Sequence, residues 1–120
     1  MNAAQELADR YAAVWNETDA GVRRQAIAKL WVPEGRHFVG IREVQGYEEL
    51  EKRIVGSHEK NVQTGKNRFR AVQNAQALRD VVTFNWEMIS AAGEVAAAGF
   101  EFLIVDDEQR IVTDYQFIVK

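Results

Sequence analysis

Glu101 sits inside an apolar run, "AAAGFEFLIV", between Phe100 and Phe102. A carboxyl group in such surroundings is pushed toward its neutral form, because burial disfavours the anion, and a neutral carboxyl can donate a hydrogen bond. A second acid follows in "RIVTDYQF". If "DDEQ" forms a four-residue loop, Val105 pairs with Arg110 and Glu101 falls opposite Asp114. Two carboxyls held side by side raise one another's pKa, so one of them carries a proton near neutral pH. Proton donation and abstraction are the chemistry this spacing suits. The other groups able to share in it are Tyr11, His37 and His58. Histidine serves as a base close to neutrality.

Other chemistries have little support. No cysteine is present, which removes disulfides, thiolate catalysis and cysteine-held zinc or iron–sulfur sites. The two histidines are far apart in sequence and make no ligand pair at helical spacing, so no metal site is expected. There is no nucleophile elbow, phosphate-binding glycine loop or dinucleotide fingerprint, and no cofactor is expected. The net charge is −3, and the basic clusters, Arg23-Arg24 and "KNRFR", are short. That argues against a nucleic-acid or anionic-membrane surface. No apolar run reaches the roughly 20 residues that cross a bilayer, and the N-terminus lacks the apolar block of a signal peptide. The expected location is the cytoplasm.

The chain must position these groups with one domain over residues 1–120, since 120 residues suit a single core and no linker or repeat interrupts them. Ala4, Leu7, Ala8, Tyr11, Val14 and Trp15 recur at steps of three and four, predicting a helix over 3–17 capped by Asn2. A second helix is expected over 20–31, capped by Thr18 or Asp19 and ended by Pro33 and Gly35. A short extended piece, "RHFV", and a turn or second short strand over 40–46 lead to a third helix from Tyr47 to about Gln63. Its stripe is Tyr47, Leu50, Ile54, His58 and Val62. From Asn67 the period becomes two, predicting strands near 67–78, 80–90, 94–105 and 110–119, the last three antiparallel neighbours. Helices grouped before strands give an α+β fold with the helices on one face of a curved sheet.

Strand alternation sorts the side chains into two groups. Glu101, Leu103, Asp114, Gln116 and Ile118 share one face; Phe100, Phe102, Ile104, Ile111, Thr113, Tyr115 and Phe117 share the other. Val82, Phe84, Trp86 and Met88 form one face of "VVTFNWEMI". Parity groups the residues without choosing which group faces the helices. With the acids inward, the result is an apolar pocket with a few polar groups at its base, the usual build of a small-molecule site. With the aromatic rings inward, Glu101 is an outer carboxylate paired with an arginine or with solvent.

The ordered motifs "YAAVWNETDA", "LWVPEGRHFVG", "GYEEL", "VVTFNWEM" and "GFEFLIVDDEQRIVTDYQF" resemble the nuclear transport factor two-like superfamily, in its SnoaL-like and ketosteroid-isomerase-like branches, over nearly the whole chain. The resemblance implies a cone-shaped, strongly curved mixed or antiparallel sheet wrapped around three helices and one internal pocket. It places the acids inward and the face with Phe102, Tyr115 and Phe117 in a homodimer contact. It matches Tyr11 and Glu101 to the hydrogen-bond donors of an oxyanion hole, a use of a neutral carboxyl for which ketosteroid isomerase is itself a standard example. Val39 stands where the base belongs, so His37, two residues earlier, or His58 or Asp114 is the available base and steroid isomerisation is not implied. Tyr11, His37, Glu101 and Asp114 are thus the candidate catalytic groups, and Trp15, His58, Phe84, Trp86, Met88, Leu103 and Gln116 the candidate ligand contacts. The implied activity is cofactor-independent isomerisation, cyclisation or hydration of a small, mostly apolar molecule. The alternative is a non-catalytic binding or dimerisation module, in which Tyr11 is a satisfied core tyrosine and His58 binds a backbone carbonyl.

Overall fold

The computed structural model describes residues 2–120. Helix α1 (Ala3–Asn16) starts where Asn2 accepts hydrogen bonds from the backbone N–H groups of Ala4 and Gln5. Its buried side is the predicted stripe, with Leu7, Ala8, Tyr11, Val14 and Trp15 all inside. Helix α2 (Ala20–Leu30) is capped by Asp19, which accepts from the Val22 N–H. Strand β1 (Trp31–Val39) follows at once. The expected break at Pro33 and Gly35 is instead a strand irregularity: pairing with the last strand skips from Trp31 to Arg36. Proline is tolerated there because no ladder hydrogen bond is asked of it.

Strand β2 (Arg42–Gln45) pairs back on β1, and helix α3 (Gly46–Ser57) runs on into a π-helical segment, His58–Thr64. The predicted strand over 67–78 is two short strands, β3 (Arg68–Ala71) and β4 (Gln76–Leu78), both paired to β5 (Val81–Ile89). Side chains replace the missing ladder between them. Asn74 bonds the backbone N–H and side chain of Asn85, and Gln5 of α1 bonds Val72 O and Ala75 N. Strands β6 (Val95–Val105) and β7 (Ile111–Ile118) complete an open seven-stranded mixed sheet in the order β2-β1-β7-β6-β5-β3, with β4 alongside β5. Among the described residues only β1 and β7 pair in parallel; β5, β6 and β7 form the expected antiparallel meander. The three helices cover one face of this curved sheet, an α+β cone.

The register between β6 and β7 differs from the sequence expectation. Val105 pairs with Ile111, Leu103 with Asp114 and Glu101 with Gln116. The hairpin closes at Asp106 and Arg110, which moves the pairing by one residue, and a bulge at Val112, left without a partner between Ile111 and Thr113, moves it by one more. Ile111 is thereby turned into the core instead of lying on the outer face, and Thr113 is also buried. For Glu101 the shift is two residues. Even shifts preserve the face, so Glu101, Leu103, Asp114 and Gln116 still share one side, and that side is inward. Among the described residues no helix is long and apolar enough to cross a membrane.

Candidate ligand site

The acids lie beneath the helices, both wholly buried at 0 % exposure, with His37 at 1 %. Three elements bring them together. Residue parity on β6 and β7 aims Glu101 and Asp114 inward. The parallel pairing of β1 with β7 sets His37 directly beside Asp114. The buried stripe of α1 lowers Tyr11 onto them.

Asp114 is the hub. Its Oδ2 accepts from the Tyr11 hydroxyl at 2.5 Å and lies 2.8 Å from His37 Nδ1. Glu101 Oε1 accepts from Trp86 Nε1 at 2.8 Å and Gln116 Nε2 at 2.5 Å. The remaining oxygens, Glu101 Oε2 and Asp114 Oδ1, are buried and meet no N–H or O–H donor. The two carboxyls act strongly on each other, and the directions of their shifts favour the proton on Glu101. Burial, then the neighbouring Asp114 carboxyl, hold Glu101 well above the usual carboxylate range, against the lowering effect of Gln116 and Trp86. Burial acts on Asp114 in the same direction, but the Glu101 carboxyl, the contact with His37 and the Tyr11 hydroxyl outweigh it and keep Asp114 below its ordinary value. Burial, followed by the nearby Asp114 and Glu101 carboxyls, pushes the Tyr11 hydroxyl well up, so it is a hydrogen-bond donor.

Arg53 closes the array from α3. Its Nε faces His37 Nε2 at 3.4 Å, a long contact, and Nη2 reaches Gln116 Oε1 at 3.3 Å. An arginine can only donate. His37 Nε2 therefore presents its lone pair, and Nδ1 carries the proton given to Asp114. Desolvation, then the like charge of Arg42, lowers Arg53 from its usual value; the guanidinium also lies 5.1 Å from the centre of a Trp15 ring.

Next to this array is a partly enclosed cavity of about 170 Å³. Trp15, Phe69, Trp86 and Met88 give it an apolar wall, and Tyr11, Arg53, Ser57, Asn61 and Gln116 its polar groups. Of the residues expected from sequence, Tyr11, Trp15, Trp86, Met88 and Gln116 line it. Glu101, His37 and Asp114 stand one side chain behind the wall. Phe84 and Leu103 are in the solid core, and His58 is buried with Nδ1 3.2 Å from Trp15 O, so these three are placed away from the wall. The oxyanion-hole geometry also differs from expectation. The hydroxyl of Tyr11 goes to Asp114, and Glu101 is bonded to Trp86 and Gln116, so neither is aimed at a ligand oxygen. Arg53, Ser57 and Asn61 are additions. Leu50, Arg53, Ser57 and Asn61 follow one another at helical spacing, so a polar row beside the apolar stripe was there to be read.

Trp86 has room because Gly99 faces it across the strands. A Cβ at Gly99 would stand 2.2 Å from Trp86 Cζ2, so a bare backbone is what lets the indole lie flat and reach Glu101. A larger groove beside α1 and β3, with Asp9, Asn16, Arg68 and Arg70 on its walls, is shallower and carries charges of both signs. Among the described residues no three histidine or acidic side chains cluster closely enough to hold a metal ion.

No protein-family model matches the chain, and no curated protein matches it significantly. Solved structures do. A candidate isomerase of the SnoaL-like family from Agrobacterium tumefaciens superposes with a TM-score of 0.84 at 23% identity, covering 99% of this chain and 100% of that one. A candidate polyketide cyclase from Sinorhizobium meliloti gives 0.68 at 11% identity over 92% and 93% of the two chains. A nuclear transport factor two-like protein of unknown function from Exiguobacterium gives 0.70 at 16% identity over 93% and 97%. At these identities the likeness is one of architecture, and it agrees with the order of helices and strands described above: the chain has the SnoaL-like, nuclear transport factor two-like fold.

Proposed function

We propose that the chain is a small-molecule pocket protein that performs cofactor-independent proton transfer, of the isomerase or cyclase kind, on a small and mostly apolar compound. One observation carries this reading. Tyr11, Arg53 and Gln116 belong both to the cavity wall and to the hydrogen-bonded array around Glu101 and Asp114. A ligand oxygen in the cavity would meet donors that are backed by a buried acid and a buried base. The isomerase and cyclase named among the structural neighbours are in keeping with it, without fixing a reaction. Tyr11 holds its hydroxyl on Asp114 at the cavity wall, where a ligand acceptor oxygen would compete for that proton; His37 backs Asp114, and Glu101 supplies the acid reserve.

The test is exchange of solvent deuterium into an enolisable one-ring ketone such as phenylacetone, followed by proton NMR. Exchange above buffer that falls at least about tenfold in Tyr11→Phe supports catalysis; general acid–base contributions are typically larger than that. A second reading is supported by the sealing of Glu101, His37 and Asp114 at 0–1 % exposure: a binding module without chemistry. Binding of the ketone with no exchange above buffer selects it.

We also propose that the outer sheet face forms a homodimer contact. Tyr115 and Phe117 are 40 % and 55 % exposed; Tyr115 continues into Phe38 and Phe102 through ring contacts of 5.3 and 6.1 Å, and Phe117 lies 6.2 Å from the Phe100 ring. Light scattering at micromolar concentration should give twice the chain mass, and Phe117→Arg should return the monomer. A monomeric wild type would remove the proposal.

A further inference from the structure

We propose that the cavity selects an organic anion, a one-ring or branched apolar carboxylate or a species of similar charge and shape, and that Arg53 is the residue that recognises it. This rests on the reading of the cavity as a ligand pocket. The polar lining is one-sided: it includes a guanidinium, amides and hydroxyls, and no carboxylate. Arg53 makes no ion pair with any described residue. The buried anion Asp114 is separated from it by the His37 ring, which contacts both.

The guanidinium is also incompletely used. Nε points to His37 and Nη2 to Gln116, while Nη1 has no hydrogen-bond partner. Nη1 is not among the sealed unpartnered atoms, so it remains reachable. The planar fork is held for an incoming group by Gln116 on one side and the Trp15 ring on the other. A partly buried arginine fixed in this way is suited to a carboxylate, which it can meet through parallel N–H···O bonds. Arg42 adds positive charge close by. The apolar part of the ligand has Trp15, Phe69, Trp86 and Met88 to lie against. At about 170 Å³ the space is near that of the roughly 150 Å³ cavity known to accept one benzene ring, which sets the size of the body.

The experiment compares benzoate with benzamide, titrated into the full chain near neutral pH while the tryptophan indole N–H signals are followed by NMR. The two probes share a ring and nearly a shape, and differ in charge. Benzoate should bind at least about tenfold more tightly, the margin expected for a charge-assisted over a neutral hydrogen bond. In Arg53→Gln the ratio should collapse to within about twofold. Arg53→Lys, which keeps the charge and loses the fork, should fall between. Equal binding of the two probes by the wild type overturns the anion proposal and leaves the pocket reading standing. Failure of both to bind overturns both. An Arg53→Gln protein that is folded by circular dichroism and keeps the wild-type ratio shows that Arg53 is not the recogniser.

Discussion

Replacing Glu101 by glutamine tests whether the buried acid is neutral in the folded protein. A glutamine matches the shape of a protonated glutamate. Its oxygen can keep the bonds from Trp86 and Gln116, and its NH₂ can donate toward Asp114. At about pH 5 the two proteins should therefore differ by no more than about 1 kcal/mol, the scale of one neutral hydrogen bond. Above that they should part. An unfolded glutamate ionises near ~4.3, while folded Glu101 is held well above the ordinary range by burial and by Asp114. Between the two values the folded state holds one proton that the unfolded state has released. A carboxyl raised in this way contributes its full stability below the unfolded value and loses it as pH rises toward the folded one. The slope is about 1.4 kcal/mol per pH unit. Glutamine has no proton to release.

Urea unfolding followed by tryptophan fluorescence, at about pH 5, 6 and 7, should then show Glu101→Gln gaining on the wild type by about 1.4 kcal/mol per unit. The gain ends where folded Glu101 ionises. Titrations common to both proteins cancel in the difference. Asp114 has the opposite sign, being lowered in the folded state. Its contribution is present above the unfolded value near ~3.9 and is lost as pH falls through the folded one, below the range measured. Parallel pH profiles would mean that Glu101 is already ionised in the fold. A loss of more than about 3 kcal/mol at pH 7, the scale of breaking a buried ion pair, would mean that the carboxylate form is the one needed. Either result refutes the placement of the proton.

Two further substitutions probe the same construction. Tyr11→Phe removes a 2.5 Å bond to the Asp114 carboxylate and should cost about 1.5–3 kcal/mol in urea unfolding at neutral pH; a change below about 0.5 kcal/mol, ordinary for a surface site, would show that His37 and Glu101 alone satisfy Asp114. Gly99→Ala drives a methyl to 2.2 Å from the Trp86 ring and should cost about 1–3 kcal/mol or more by overpacking, with altered Trp86 fluorescence and weaker benzoate binding. Wild-type stability with unchanged fluorescence would show that the indole is free to move.

Much of this was readable because alternation is robust to small errors. The sequence expectation set Glu101 opposite Asp114, whereas the pairing is Glu101 with Gln116, a two-residue slip that leaves every residue on its face. Ile111 was misplaced because the bulge at Val112 uses an ordinary residue and no glycine or proline announces it. The split between β3 and β4 was hidden for a similar reason. It depends on Asn74 finding Asn85 and on Gln5 reaching across from α1, and such tertiary bonds leave no period. Pro33 misled in the opposite sense, since a proline at a strand irregularity looks in sequence like an end. Arg53 was missed because apolar periodicity was used to find the inner face of α3. A long cationic side chain at the edge of that stripe can bury its stem and bring its head to the cavity.

The charge count explains how so polar a cluster can exist inside a small core. Burial and the neighbouring carboxyls favour the neutral forms of Glu101 and Tyr11, and His37 Nε2 lies against the Arg53 donor. That leaves one anion, Asp114, and one cation, Arg53, with an imidazole between them. A buried array without net charge, in which most polar atoms have partners, avoids the desolvation cost of a lone ion. The arrangement is lopsided all the same. Asp114 is fully enclosed, bonded to Tyr11 and His37, with the Glu101 carboxyl acting on it from β6. Arg53 reaches the cavity with one terminal nitrogen unused. The negative charge is therefore answered from within the protein, and the positive charge is answered only in part. Arg53 stands on the wall of the space lined by Trp15, Phe69 and Trp86, so the partner we propose for it is something that enters from outside with an apolar body and an acceptor oxygen at one end.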